Sequence, residues 1–249
     1  MNAPIKASAR YISGKLLPKV AYPVFRGPLK GAKFILGSSA GAGGGASVYF
    51  NMSEPEQTSA FVNTLKKNQT LFDIGANVGY YTIMGARLVG PRGKVFAFEP
   101  VARNLSYLYR HVILNKVTNV TIIPAACSDS LSLSIFSAGL NFAMGHLETH
   151  PENCTTEKFP IPSLTVDEVV QKMGVYPDVI KIDVEGAELL VLKGAQATLR
   201  DAKTKIFLST HSETLRKTCL EYLDSLGFTA EALDKDEKHP SEFFVKHAD

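Results

Sequence analysis

From Thr70 onward the chain alternates two kinds of apolar pattern, and that alternation restricts the fold more than any other feature. Runs of strand character fall at residues 70–74, 94–99, 120–124, 179–184, 205–210, 229–233 and 242–246. Between several of them apolar residues recur at helical spacing, as Val101, Leu105, Leu108 and Val112 do, and again Leu215, Cys219, Tyr222 and Leu226. Strand and helix in alternation predict an α/β fold with a mostly parallel sheet and helices on both faces. The first, fourth and fifth runs are nearly all apolar, as central strands covered on both sides are. The charged segment 234–239 joins the last two runs as a hairpin. A helix is expected over 55–66, and Thr165-Val-Asp-Glu168 reads as a capping box opening another. Residues 125–178 are less regular and decorate the sheet.

Ligands of such a sheet bind beyond the carboxyl ends of its strands, so the residues left there are informative. The first strand runs into Asp73-Ile-Gly75-Ala-Asn77-Val-Gly79-Tyr-Tyr81. Glycines at 75 and 79 permit a tight turn and close approach of a ligand to the backbone. The middle glycine of the dinucleotide fingerprint is replaced by Asn77, and no basic residue accompanies the turn, which disfavours a pyrophosphate. Asp73 suits a ligand carrying positive charge. The second strand ends at Glu99-Pro100, where an acid can grip both hydroxyls of a ribose. Glu is a poor N-cap, which weighs against a purely structural role. The third strand leads to Cys127-Ser128-Asp129, small residues with an acid able to accept from an exocyclic amine. The fourth gives Lys181-Ile-Asp183-Val-Glu185-Gly-Ala-Glu188, in which alternation puts Lys181 and Asp183 on one side. The fifth ends at Ser209-Thr210-His211, a histidine at a strand tip whose ordinary pKa suits proton transfer. Glu213 is read as completing a capping box with Thr210.

Composition separates the two ends of the chain. The 249 residues are 45% hydrophobic and 20% charged, within the range of globular proteins. Residues 1–50 hold seven Lys or Arg and no acid, while the rest holds the other 20 basic residues against all 24 acids. A basic extension with a Gly-rich loop (1–52) is therefore set apart from a main domain (53–249). Its charge allows peripheral contact with a membrane surface, but without interleaved aromatics no nucleic acid is expected. The glycine run at 37–47 lacks the Lys-Ser/Thr of a P-loop. Three cysteines with no CxxC point to free thiols and a cytoplasmic location. His146, His150 and Cys154 are metal-ligand types without the HExxH order, so no metal is assigned there. Tyr49, Phe50 and Glu54 either form a lid over an acceptor or, for the two aromatics, bury against the sheet.

The motifs at 73–82, Phe98-Glu99-Pro100 and 181–188, with Thr165-Val-Asp167 and Leu192-Lys-Gly-Ala195, together resemble the FkbM family of S-adenosylmethionine-dependent methyltransferases over about residues 54–211. The resemblance implies a Rossmann-like class I methyltransferase fold, a seven-stranded sheet with an antiparallel last strand. It implies O-methylation of a hydroxyl on a sugar, glycolipid or small natural product. Carried over, Asp73, Gly75, Asn77 and Gly79 hold the methionine part of the cofactor and Glu99 the ribose. Ser128 and Asp129 lie near adenine, and Asp183 floors the transfer site. Ser209 stands where many relatives have Glu, which shifts weight to Asp183, Glu185 and His211.

An alcohol needs a base to leave its proton, and His211 is the first choice, with Glu185 or Asp183 as the alternative. A divalent ion on Asp183, Glu185 and His211 is an option the residues allow, though no ligand spacing predicts it. An NAD-dependent oxidoreductase and a non-catalytic nucleoside-binding module of the same fold stay open. The acceptor and the oligomeric state are not legible.

Overall fold

The seven apolar runs pair into one sheet, each within two residues of its expected bounds. The computed structural model describes residues 18–38, 46–137, 146–147, 158–201, 203–234 and 239–248. A hairpin of β1 (Ala21–Pro23) and β2 (Lys33–Ile35) comes first, then a short helix α1 (Ala46–Tyr49) and α2 (Pro55–Thr64). The sheet begins with β3 (Thr70–Ile74), α3 (Tyr80–Val89), β4 (Lys94–Phe98), α4 (Ala102–Leu114) and β5 (Val120–Ile123). A smaller sheet of β6 (Ala126–Cys127), β7 (Ser132–Ser137), β8 (His146–Leu147) and β9 (Lys158–Leu164) interrupts it. The chain then returns through α5 (Val166–Met173), β10 (Val179–Ile182), α6 (Glu188–Lys193), α7 (Gln196–Asp201) and β11 (Lys205–Ser209). It closes with α8 (Glu213–Ser225), β12 (Phe228–Ala232) and β13 (Glu242–His247). No helix among the described residues is long and apolar enough to cross a membrane.

The strand order is β12-β13-β11-β10-β3-β4-β5. Strands β3, β4, β5, β10 and β11 run parallel, and β13 inserts antiparallel between β11 and β12. The order reverses between β3 and β10, which is where a ligand crevice opens in sheets of this kind. Register decides what meets there. Ile74 is level with Phe98 and Ile182, and Ile182 with Leu208. Gly75, Glu99, Asp183 and the end of β11 therefore emerge along one edge.

Both faces of the sheet are buried. Phe72 and Ile74 join one cluster with Phe96, Phe98, Ile180 and Val191, while Leu71 faces a second with Phe61, Ile83 and Phe207. Each such side chain contributes about 1.5–3 kcal/mol on burial, so the strand tips rest on a rigid floor.

The described part of the N-terminal stretch shares that core. Val24, Leu29, Phe34 and Leu36 pack into the second cluster. The amide of Ile35 donates to His111 Nε2 at 3.0 Å. His111 Nδ1 must then carry the ring proton and donate to Val78 O at 2.7 Å, and burial pushes the ring's pKa down, keeping it neutral. The hairpin is thus tied through α4 to the turn after β3. Tyr49 is buried with its hydroxyl on Phe34 O, whereas Phe50 is exposed beside Phe25.

Two caps test the local reading. Thr165 and Glu168 exchange both bonds of the capping box at 3.0 Å. Thr165→Ala should lower stability by about 1 kcal/mol, read as a shift in the denaturant midpoint with an unchanged slope. The box expected from Thr210 and Glu213 does not form. Ser212 caps α8 instead, accepting from Leu215 N at 3.1 Å, because the helix starts two residues later than the pattern suggested. His146 and Leu147 form β8, but residues 148–157, with His150 and Cys154, lie outside the described residues.

Candidate active site

The turn after β3 is held on both sides by backbone. Gly75 N and Ala76 N donate to Phe98 O at 3.0 and 2.9 Å, and Asp183 N donates to Ile74 O at 3.0 Å. Gly75 has φ +81, and a Cβ there would stand 1.8 Å from Asp183 O. The close approach that requires glycine is therefore to the neighbouring strand. Gly79, at φ +97, opens α3 against Leu108, and Asn77 between them is left-handed at φ +50.

This turn forms one wall of a cleft, open at its mouth, lined among others by Gly75, Asn77, Glu99, Phe136, Asp183 and Glu185. Glu99 is almost fully buried. Its Oε2 accepts from Asn77 N at 2.8 Å, and its Oε1 from Val101 N at 2.8 Å and Asn104 Nδ2 at 3.3 Å. Burial pushes its carboxyl up to about 7. The helix following it is capped by no side chain and begins after Val101, so Glu99 is no N-cap. Asn77 Oδ1 is buried without a partner among the described residues, an acceptor suited to a ligand.

Other expected residues lie elsewhere. Asp73 is buried behind the turn and does not line the cleft. It accepts from Thr82 Oγ1 at 2.5 Å, and burial raises its carboxyl to about 6. Gly79 is likewise off the lining, and on the third strand the wall is Ala125, Ala126 and Cys127. Ser128 is buried with its amide on Leu164 O, and Asp129 is exposed.

The end of β10 concentrates charge. Lys181, only 1% exposed, places Nζ 2.8 Å from Asp183 Oδ2, over the Tyr81 ring at 4.9 Å, and 3.5 Å from Ser209 Oγ. Burial alone would push Lys181 down, but Asp183, Glu54 and Asp73 outweigh it and hold its pKa up. Burial works upward on Asp183, and Lys181 outweighs it. Glu54 turns inward, accepting from Tyr81 OH at 2.7 Å, so it belongs to this network.

His211 sits where the fifth strand delivers it. Its Nε2 lies 3.4 Å from Asp183 Oδ1 and 3.5 Å from Glu185 Oε2, and its Nδ1 lies 2.7 Å from Glu188 Oε1. Burial would lower its pKa, but the Glu188 bond and the surrounding carboxylates win and raise it. Glu188 is the site residue that the sequence did not single out. It is wholly buried beneath the histidine, and only the fold brings positions 188 and 211 together.

A glycine cradle, an orphaned acceptor and carboxylates on the wall suit a cationic nucleoside. The Methyltransferase FkbM domain matches residues 73–230 of the chain. The hexuronic acid methyltransferase AglP of Haloferax volcanii is 28% identical over 178 residues, which is 69% of either chain. The crystal structure of the FkbM methyltransferase from Methylobacillus flagellatus KT superimposes with a TM-score of 0.51 at 17% identity, covering 80% of this chain and 52% of that one. That likeness bears on the fold, which is the Rossmann-like class I methyltransferase fold. With the domain matched from the acid of the first strand through β12, the chain belongs to the FkbM methyltransferase family and is an S-adenosylmethionine-dependent methyltransferase.

Proposed function

We propose that the enzyme methylates a hydroxyl of a sugar-type acceptor, with Asp183, Glu185 and His211 drawing off the hydroxyl proton. The observation that carries this is the convergence of Asp183, Glu185 and His211, whose ligand atoms lie within 4.8 Å of one another, beside the cleft that Asp183 and Glu185 line. S-adenosylmethionine, when bound, supplies a methyl group on positively charged sulfur, so the chain need not activate the leaving group. What remains is alignment and removal of a proton from a weak nucleophile. Glu99 and Asn77 are assigned to the ribose side of the cofactor, and Gly75 with the turn it heads to the methionine side. Asp73 acts on that turn through Thr82, with Gly79 setting the start of α3. Ser128 and Asp129 stand beyond Cys127, at the adenine end of the wall.

The name of the haloarchaeal relative supports a sugar. The charge of the site supports a hydroxyl over a carboxylate. At neutral pH a carboxylate acceptor has no proton to lose, and the Asp183 and Glu185 carboxylates would repel it. Incubation with methyl-labelled cofactor and a panel of hexoses and hexuronic acids should give products whose methyl survives mild alkali, as ethers do. A label released by alkali would mark an ester and overturn the hydroxyl reading.

Glu99 adds a pH dependence with two opposite signs. Its folded-state pKa, about 7, lies above the ordinary value of 4.5. Folding therefore favours the protonated form, and this group's contribution to apo stability is lost as pH rises from 4.5 through 7. Ribose hydroxyls donate best to the ionised form, so affinity for S-adenosylhomocysteine should weaken as pH falls below about 7. Calorimetry across pH 5.5–8.5 checks this, and Glu99→Gln should flatten the profile.

A further inference from the structure

His211 is pinned from behind and bare in front. Glu188 Oε1 lies 2.7 Å from Nδ1 and also accepts from Gly186 N at 3.0 Å. A carboxylate in that position takes the Nδ1 proton and leaves the Nε2 lone pair to the cleft. There Nε2 meets Asp183 Oδ1 at 3.4 Å and Glu185 Oε2 at 3.5 Å, both longer than the ~2.7–2.9 Å of a charge-assisted hydrogen bond. Three electron-rich atoms thus surround one point. Around an ion with ligands at about 2.1 Å, adjacent donors stand roughly 3 Å apart. The two edges from His211 need shorten by only a few tenths of an ångström, and the carboxylate pair, within 4.8 Å, closes by a turn of the partly exposed Glu185 side chain.

A second, independent feature points the same way. Glu188 is fully buried, and its other oxygen, Oε2, has no partner among the described residues. A carboxylate behind a histidine whose far nitrogen faces two more carboxylates is the outer-shell arrangement that orients metal-binding imidazoles. Charge agrees: Asp183, Glu185 and Glu188 crowd one histidine, and Lys181 forms its ion pair with Asp183 Oδ2, on the side away from His211 Nε2. A divalent cation offsets the excess.

We propose that Asp183, Glu185 and His211 bind one divalent cation of the oxygen-preferring class, Mn²⁺ more tightly than Mg²⁺, with Glu188 as the positioning residue for His211. Two carboxylates with a single imidazole favour this class over zinc, and affinity rises from Mg²⁺ to Mn²⁺ once a nitrogen ligand is present. The role of the ion rests on the hydroxyl-methylating reading of the cleft. Three protein ligands leave positions open for the acceptor hydroxyl, whose acidity the ion raises. The hydroxyl proton passes to solvent by way of the other oxygen of the Glu185 carboxylate. The electron pair it leaves on oxygen forms the O–CH₃ bond, and the pair of the breaking S–CH₃ bond stays on sulfur. His211 is then a ligand that keeps the cluster in place.

Chelator-treated protein titrated with MnCl₂, followed by the electron paramagnetic resonance of free Mn²⁺, should show one site per chain. Glu185→Gln and His211→Ala should weaken it at least tenfold, and Glu188→Gln by 10- to 100-fold. Affinity for S-adenosylhomocysteine should stay within about threefold in His211→Ala and Glu188→Gln, neither of which alters a residue lining the cleft. Should His211→Ala fail to fold, Glu185→Gln, altered at a partly exposed side chain, carries the test. No Mn²⁺ binding by protein that still binds S-adenosylhomocysteine overturns the ion site and leaves the methyltransferase reading intact. Wild-type Mn²⁺ affinity in both Glu185→Gln and Glu188→Gln also overturns it. Alkali-labile product from protein that binds Mn²⁺ removes the hydroxyl reading and spares the site.

Discussion

Gly75→Ala is expected to lower stability by about 2–5 kcal/mol and to abolish cofactor binding in whatever folds. Two costs add. An L-residue in the left-handed region costs roughly 1–2 kcal/mol, and Gly75 sits at φ +81. The larger cost is steric, since the new methyl would stand 1.8 Å from Asp183 O and 2.8 Å from Asp183 C. Those are backbone atoms of an adjacent buried strand and cannot swing aside, so forced packing adds about 1–3 kcal/mol. Relief requires parting β3 from β10 at the point where the cleft opens, which carries Asp183 away from the turn at Gly75. Gly174→Ala is the control. It has φ +62 at the end of α5 and open space around its Cβ position, so only the conformational cost of roughly 1–2 kcal/mol applies. Denaturant unfolding and calorimetry with S-adenosylhomocysteine on both variants decide the matter. Wild-type affinity in Gly75→Ala would show that the turn does not shape the site.

That glycine also shows how far the residues could be read without the fold. A turn at 75–79 was legible, because glycines after an apolar run can hardly do otherwise. Its purpose was not, since the atom that forbids a side chain belongs to a strand over a hundred residues away. The central strands were legible to within two residues for a related reason: burial on both faces demands unbroken apolar runs such as 70–74 and 205–209. The small sheet was hidden. Strand β9 contains Pro160 and Pro162, which argue against a strand. Strand β7 turns Leu133 and Ile135 outward and Ser132 and Ser134 towards Ser163, an inversion that pattern reading takes for noise. The three-residue strands of the N-terminal hairpin are too short for any period to show. They were grouped with the basic residues around them, although Val24, Leu29 and Phe34 are core.

The charged cluster divides the same way. Lys181, Asp183 and Glu185 stood out because polar groups at the end of a buried strand need a reason, and His211 because it follows the next strand. Their convergence depends on the parallel register that sets Ile182 beside Leu208, which no spacing along the chain reveals. Glu188 lies in a helix whose acid could as well have faced solvent. The family resemblance sets Ser128 and Asp129 near adenine, and they follow directly on Cys127, where the lining of the cleft on that strand ends.

His211→Ala should lower turnover by roughly 10²–10⁴ while leaving affinity for S-adenosylhomocysteine nearly unchanged. The split between the two quantities is the informative part. Among the described residues the cofactor cleft is lined without His211, whereas Nε2 is one of three atoms gathered around the place assigned to the acceptor hydroxyl. Whether that nitrogen takes the proton or holds an ion that acidifies the hydroxyl, its loss leaves a neutral alcohol facing the methyl group. Single-turnover rates with saturating cofactor measure the chemical step directly, and EDTA separates the two modes, stopping the wild type only where the ion is required. Glu188→Gln makes the comparison stricter. The amide keeps the volume but not the charge behind Nδ1, so it should slow turnover less than His211→Ala does, with cofactor affinity again intact. Turnover at the wild-type rate in His211→Ala would exclude the residue from proton removal and from ion binding alike, and the acceptor hydroxyl would then have to lose its proton to Asp183 or Glu185 alone.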